Sequence, residues 1–128
     1  MIKEKKTSKK KNESDLLIDA VVEGLQKKKG HDIMVMDFRK INHPLCNHFV
    51  ICHGSSNVQV KALAESVEEE VKKTLNIKLI RREGVQNAEW ILLDYFDLIV
   101  HVFVEQARNF YKIENLWADA DIKKIKSE

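Results

Sequence analysis

Four short apolar runs and one alternating run, each closed by turn residues, restrict what this chain can fold into more than any other feature. Ile33–Phe38 (IMVMDF) and His48–His53 (HFVICH) are continuous apolar stretches of strand length. Such stretches fit strands buried on both faces. Ile77–Arg82 alternates and reads as an outer strand. Glu83-Gly84 breaks it. Trp90–Tyr95 and Asp97–Val104 read as two further strands around a tight Tyr95-Phe96 turn, which makes a hairpin.

Helical periodicity fills the gaps. Ser14 and Asp15 open a first helix as cap and N-terminal charge. Leu17, Val21 and Leu25 share its apolar face, and Gly30 stops it. The Gly54-Ser55-Ser56-Asn57 turn leads into a second helix. Ser56 and Gln59 have the capping-box spacing, and Val60, Leu63, Val67 and Val71 form the buried stripe. Glu68–Lys72 and Glu69–Lys73 are i,i+4 pairs on its wet side. A final helix runs from Glu105 to Tyr111, with a last turn near Leu116. The order α-β-β-α-β-β-β-α predicts an α/β fold: a mixed five-stranded sheet covered by helices.

A chain of 128 residues is one domain by size, and 44% hydrophobic with 33% charged residues is a globular composition. The expected division is a basic tail over 1–13, a single α/β domain over 14–120 and a charged C-terminal tail over 121–128. No apolar run approaches the ~20 residues that cross a bilayer, and the N-terminus has no apolar secretory core. No membrane association and a cytoplasmic location are expected. Cys46 and Cys52 are read as reduced, buried thiols.

The net charge of +2 is unevenly spread. Residues 1–13 carry six lysines against Glu4 and Glu13, which is +4, so the remainder sums to −2. A mildly acidic domain is a poor binder of phosphate backbones and a better match for a basic protein. The lysine-rich tail reads either as a solubilising arm or as a weak, salt-sensitive RNA tether.

Catalytic patterns are weak. The His53-Gly54-Ser55-Ser56 turn joins a strand to a helix N-terminus, a place able to hold phosphate. It lacks both common glycine-rich nucleotide patterns. Nucleotidyl transfer with magnesium would need converging carboxylates, yet Asn57 follows the turn and acids return only at Glu65. Asp94 and Asp97 offer a weak ligand pair. His31, His43, His48, His53 and His101 are scattered without zinc spacing. Cys46 has no activating context. No cofactor is expected.

The strongest constellation is polar and aromatic: Arg82, Glu83, Trp90, Asp94, Tyr95, Asp97 and His101 on three adjacent segments. Trp90, Leu92 and Asp94 share a strand face by period two. Trp90 reads equally as a hot spot for a cationic partner or as a core tryptophan with a local N–H partner.

Several stretches carry a resemblance: "HDIMVMDFRKI", "HFVICHGSSNVQVKALAESVEEEVK", "RREGVQNAEWILLDYFDLIVHVF" and "ARNFYKIENLWADA". Over roughly Leu16 to Ala120 the chain resembles the ribosomal silencing factor, or Iojap-like, family. The resemblance implies a nucleotidyltransferase-like topology without activity, so no enzyme. It implies binding to protein fourteen of the large ribosomal subunit, steric block of subunit joining, repression of translation, and a homodimer. The partner-facing residues it implies are Trp90, Asp94, Tyr95, Asp97 and His101, with Arg82, Glu83 and Gly84 nearby. The chain departs from the family in having Asn47-His48 where Asp-Tyr is common. It also has Phe96 where the turn usually has glycine, a residue suited to φ > 0.

Overall fold

The structure is a computed structural model that describes residues 12–42 and 45–126. The lysines at 3–11 and His43 lie outside the described residues. Six strands form one mixed sheet: β1 (His31–Asp37), β2 (His48–Gly54), β3 (Arg81–Glu83), β4 (Trp90–Asp94), β5 (Leu98–Val104) and β6 (Asp121–Lys124), in the order β3-β4-β5-β2-β1-β6. The β2–β5 pair is parallel and every other pair is antiparallel. Three helices accompany it: α1 (Glu13–Lys27), α2 (Asn57–Leu75) and α3 (Glu105–Tyr111), followed by a 3-10 turn over Ile113–Trp117.

The continuous apolar runs became the sheet's centre, as burial on both faces requires. In β5, Leu98, Val100 and Val102 enter a core with Val50, Ile91, Leu93 and the apolar stripes of α1 and α2. Its alternate residues Ile99 and Phe103 enter a second core with Met36, Phe38, Phe49 and Ile51. Among the described residues, that second face is covered by α3, the 3-10 turn, and Phe38, Ile41 and Cys46 from the connection between β1 and β2.

The helix-covered face is held tightly. A Cβ on Gly24 would stand 2.8 Å from Val67 Cα, so α1 and α2 approach backbone to backbone. Ser66 Oγ donates to the Gly24 carbonyl at 2.7 Å. Ser56 caps α2 by accepting from Gln59 N. The Gln59 amide does not complete the box on Ser56. Its Oε1 accepts from Ser55 N at 2.7 Å, while Nε2 donates to the Lys28 and Lys29 carbonyls and ties down the end of α1.

Four expectations need correction. The cap of α1 is Asn12, whose side chain accepts from Asp15 N at 2.9 Å; Ser14 lies inside the first turn. The outer strand is only Arg81–Glu83 rather than Ile77–Arg82. Ile77 and Leu79 alternate because they pack against the helix-side core, while only Ile80 N bonds to Asp94 O at 2.9 Å. The expected Glu68–Lys72 pair gives way to Glu68 with Arg82. Finally, the sheet has six strands, and the sixth lies in the stretch read as a charged tail. There Asp121–Lys124 pairs antiparallel with β1, Met34 facing Lys124 and Asp37 facing Asp121. All four side chains are exposed, so this strand rests on its backbone ladder and leaves no apolar period to read.

Candidate functional site

Alternation along β4 sorts its residues between the two faces. Ile91 and Leu93 are buried under the helices, whereas Trp90, Leu92 and Asp94 are half-buried on the thinly covered face. Trp90 Nε1 donates to His101 Nδ1 at 3.0 Å. The indole is bracketed by Phe103, ring centroids 4.8 Å apart, and by Tyr111 at 4.9 Å. These are ordinary separations for attractive aromatic pairs. Trp90 therefore has both properties weighed from sequence: a local N–H partner and an open flank.

Charge collects at the far end of the same strand. Asp94 Oδ1 accepts from Phe96 N at 2.8 Å, and Asp94 lies 3.7 Å from Arg81, which pairs with Glu83 at 3.0 Å. Glu83 stands opposite Leu92 in the register, beside Trp90's face of the sheet. Gly84 has φ +79°, and a Cβ there would meet the Trp90 carbonyl oxygen at 2.0 Å. Only glycine lets the chain cross so close to the tryptophan backbone. Asp97 is exposed, and its carbonyl accepts from Asn47 N and His48 N, fixing the hairpin turn against the start of β2. At that turn Phe96 takes φ +78° and is 71% exposed.

The remaining residues of the sequence constellation sit elsewhere. Tyr95 is buried in the helix-side core, and burial followed by the Glu68 charge pushes its hydroxyl up. Arg82 reaches the same side and clasps Glu68 on α2. His101 is only 4% exposed and lies beneath the indole, with Phe49 edge-on at 4.4 Å. The structure thus brings Trp90, His101, Gly84 and Glu83 together, leaves Asp94 at the far end of the same strand face with Asp97 in the turn beyond, and puts Tyr95 and Arg82 on the opposite face.

Two exposed aromatics extend the patch and were not singled out from sequence. Phe110 is 78% and Tyr111 51% exposed at the end of α3, with ring centroids 5.0 Å apart. The available signal was their adjacency: neighbouring positions on a helix point in different directions, so two successive aromatics on a seven-residue helix do not both enter the core.

Arg108 was missed as well. It is buried, donates from Nη1 to the Asp32 and His31 carbonyls at 2.7 and 3.3 Å, and lies 3.0 Å from His53 Nδ1. Burial, then the Arg108 charge, holds the His53 imidazole below its ordinary range. This cluster anchors α3 to the sheet.

The Gly-Ser turn uses its donors internally, since Ser55 N and Ser55 Oγ both go to Gln59 Oε1. Among the described residues, no group of three or more His, Cys, Asp or Glu side chains converges as a metal site. Cys46 and Cys52 are buried, and burial pushes their thiols up to about 11 and about 12. Thiols so protonated are poor nucleophiles. No helix among the described residues is long and apolar enough to cross a membrane.

The fold and the patch define a small mixed α/β protein with one aliphatic, helix-covered sheet face and one aromatic, partly open face. The chain belongs to the family described as ribosomal silencing factor during starvation, whose model matches residues 10–128. It is 36% identical to the ribosomal silencing factor of Bacillus subtilis over 95 residues, covering 74% of this chain and 79% of that protein. A crystal structure of a Chromobacterium violaceum protein superposes with a TM-score of 0.78 at 36% identity, covering 84% of this chain and 88% of that one. A more distant relative, 24% identical over 102 residues, is mouse mitochondrial assembly of ribosomal large subunit protein 1, with 78% of this chain and 44% of that protein covered. The family's named role is regulatory rather than enzymatic.

Proposed function

We propose that this chain docks on protein fourteen of the large ribosomal subunit and, by filling space the small subunit needs, prevents the two from joining. One observation carries the reading. A half-buried tryptophan with its N–H already paired lies beside exposed aromatics and near Glu83, with Asp94 at the other end of the same strand face and Asp97 in the turn beyond it. Such a surface offers a cationic partner an aromatic anchor inside a polar rim. The name of the mouse relative, which speaks of the ribosomal large subunit, agrees with the choice of subunit.

The mechanism is steric occupancy, so its strength follows mass action: subunit joining falls as the free factor approaches and exceeds its dissociation constant. The reading carries with it action on cytoplasmic ribosomes and a homodimer. It also includes a salt-sensitive RNA contact by the lysine-rich segment. Sedimentation with separated ribosomal subunits tests it. The factor is expected to travel with large subunits and not with small ones. Trp90→Ala is expected to cost about 1–2 kcal/mol or more of binding. A folded Trp90→Ala variant that sediments with large subunits as before would reject Trp90 as the anchor.

A further inference from the structure

We propose that His101 is a positioning residue for Trp90: its Nδ1 lone pair fixes the indole in the orientation the partner meets, so protonation of this imidazole releases the indole and weakens docking. The proposal rests on the patch being the docking surface.

The sheet register builds the arrangement. Trp90 stands opposite Phe103, and Leu92 opposite His101, so the Trp90–His101 bond runs diagonally between β4 and β5. Diagonal neighbours are within reach of long and aromatic side chains. At 4% exposure the imidazole has almost no surface to offer a partner. Phe49 lies edge-on to it, and Phe103 lies along its own strand at 6.2 Å. The residue therefore acts through the indole above it.

An indole N–H only donates, so the nitrogen that receives it must carry no proton. The other groups around the indole, Phe103 and Tyr111, offer ring faces and edges, which hold it in place without fixing where its N–H points. Protonated at both nitrogens, His101 turns from acceptor to donor. The indole N–H then loses its partner and the ring its anchor.

Among the described residues, the ionisable groups on this side come from several elements. From β4 comes Asp94, engaged by the Phe96 amide and near Arg81. From β3 come Arg81 and Glu83, paired with each other. From α3 come Tyr111, beyond the indole, and Arg108, engaged by the Asp32 carbonyl and His53, and from the 3-10 turn comes Glu114 near Arg108. β2 presents Phe49, Ile51 and His53, the last opposite Phe103 and held against Arg108. Of these groups, His101 is the one bonded to the indole N–H, while Asp94 lies at the other end of the strand.

The test uses the full chain with Trp117→Phe, so that Trp90 is the sole tryptophan of the two present. Its emission is followed from about pH 8 to about pH 5, the range in which histidine changes charge. The emission is expected to titrate with His101 in place and to stay flat with His101→Gln, which keeps an acceptor that does not protonate. Affinity for isolated large subunits is expected to fall about tenfold on acidification. It should be pH-independent in His101→Gln beyond any change belonging to the subunit itself. It should be weak at both ends of the range in His101→Leu, whose fold is checked by circular dichroism. Trp90 emission that ignores pH would overturn the proposal, as would a folded His101→Leu variant that binds like the parent. Should Trp90→Ala bind normally, the docking reading fails, while the emission titration still decides by itself whether His101 holds the indole.

Discussion

The two faces of the sheet solve different problems with the same strands. One face is roofed by α1 and α2 and closed by aliphatic side chains, with Val21, Leu25, Val60, Leu63 and Val67 almost inaccessible. The other is covered by a seven-residue helix, a 3-10 turn and part of the β1–β2 connection, and uses aromatics: Phe38, Phe49 and Phe103, which are buried, and Trp90, which stays partly open. Aliphatic stripes under long helices maximise burial and leave nothing to recognise. Aromatics under a short helix bury enough to hold the chain while presenting ring edges and faces outward. Division of labour between stability and recognition thus follows from how much helix each face received.

Substitutions of decreasing effect can break or sharpen that contrast. Leu63→Ala, on the roofed face, should cost about 2–5 kcal/mol of stability. This is read from the denaturant midpoint, with affinity per folded molecule unchanged. A loss of affinity without a loss of stability would end the division. Tyr111→Ala, on the open face, should reverse the pattern: about 1 kcal/mol or more of binding lost, and stability within about 0.5 kcal/mol of the parent. Unaltered affinity would confine the patch to β4. Phe96→Gly should raise the melting temperature slightly, by up to about 1 kcal/mol in stability, because glycine adopts φ +78° without steric cost. A drop in affinity for the same variant would show that the exposed ring, rather than the turn, is what Phe96 contributes.

The smallest effect belongs to Asp37 at the open rim beside α1. The Arg39 side chain, opposed by partial burial, lowers its carboxyl from 3.8 to about 2. A carboxyl depressed in the folded state stabilises above its unfolded value and loses that contribution as pH falls through the folded one. Stability should therefore decline between about pH 4 and about pH 2. Because this pair is largely solvated, the contribution is a few tenths of a kcal/mol. Asp37→Asn should flatten that part of the acid-unfolding curve.

Legibility in the sequence tracked burial. β1, β2, β4 and β5 were readable because their side chains carry the apolar signal of a core, and α3 was readable from its bounds inward. β6 was not, since its order comes from backbone pairing with β1 while its side chains face water. The same logic explains the site. Trp90 and Asp94 stood out by period two on one face. Yet Tyr95 and Arg82, close by in sequence, belong to the opposite face, and strand phase through the turn decides that rather than residue type. His101 showed its place on a strand but not its bond, which depends on a diagonal across two strands. Phe110 and Tyr111 needed the third dimension too, because α3 brings them to Trp90 from beyond β5.

The pairing of β6 with β1 has a consequence for how the molecule is made. β1 emerges from the exit tunnel before the other strands, and its outer edge remains without a ladder until Asp121–Lys124 has also appeared. Every other described element is synthesised before that happens. A nascent chain of this kind carries an open strand edge until Asp121–Lys124 has been made, and this sheet is completed by the last of its described elements. Joining such distant segments imposes a slow, late step on folding. A stalled or prematurely ended copy would expose that edge to any neighbouring strand.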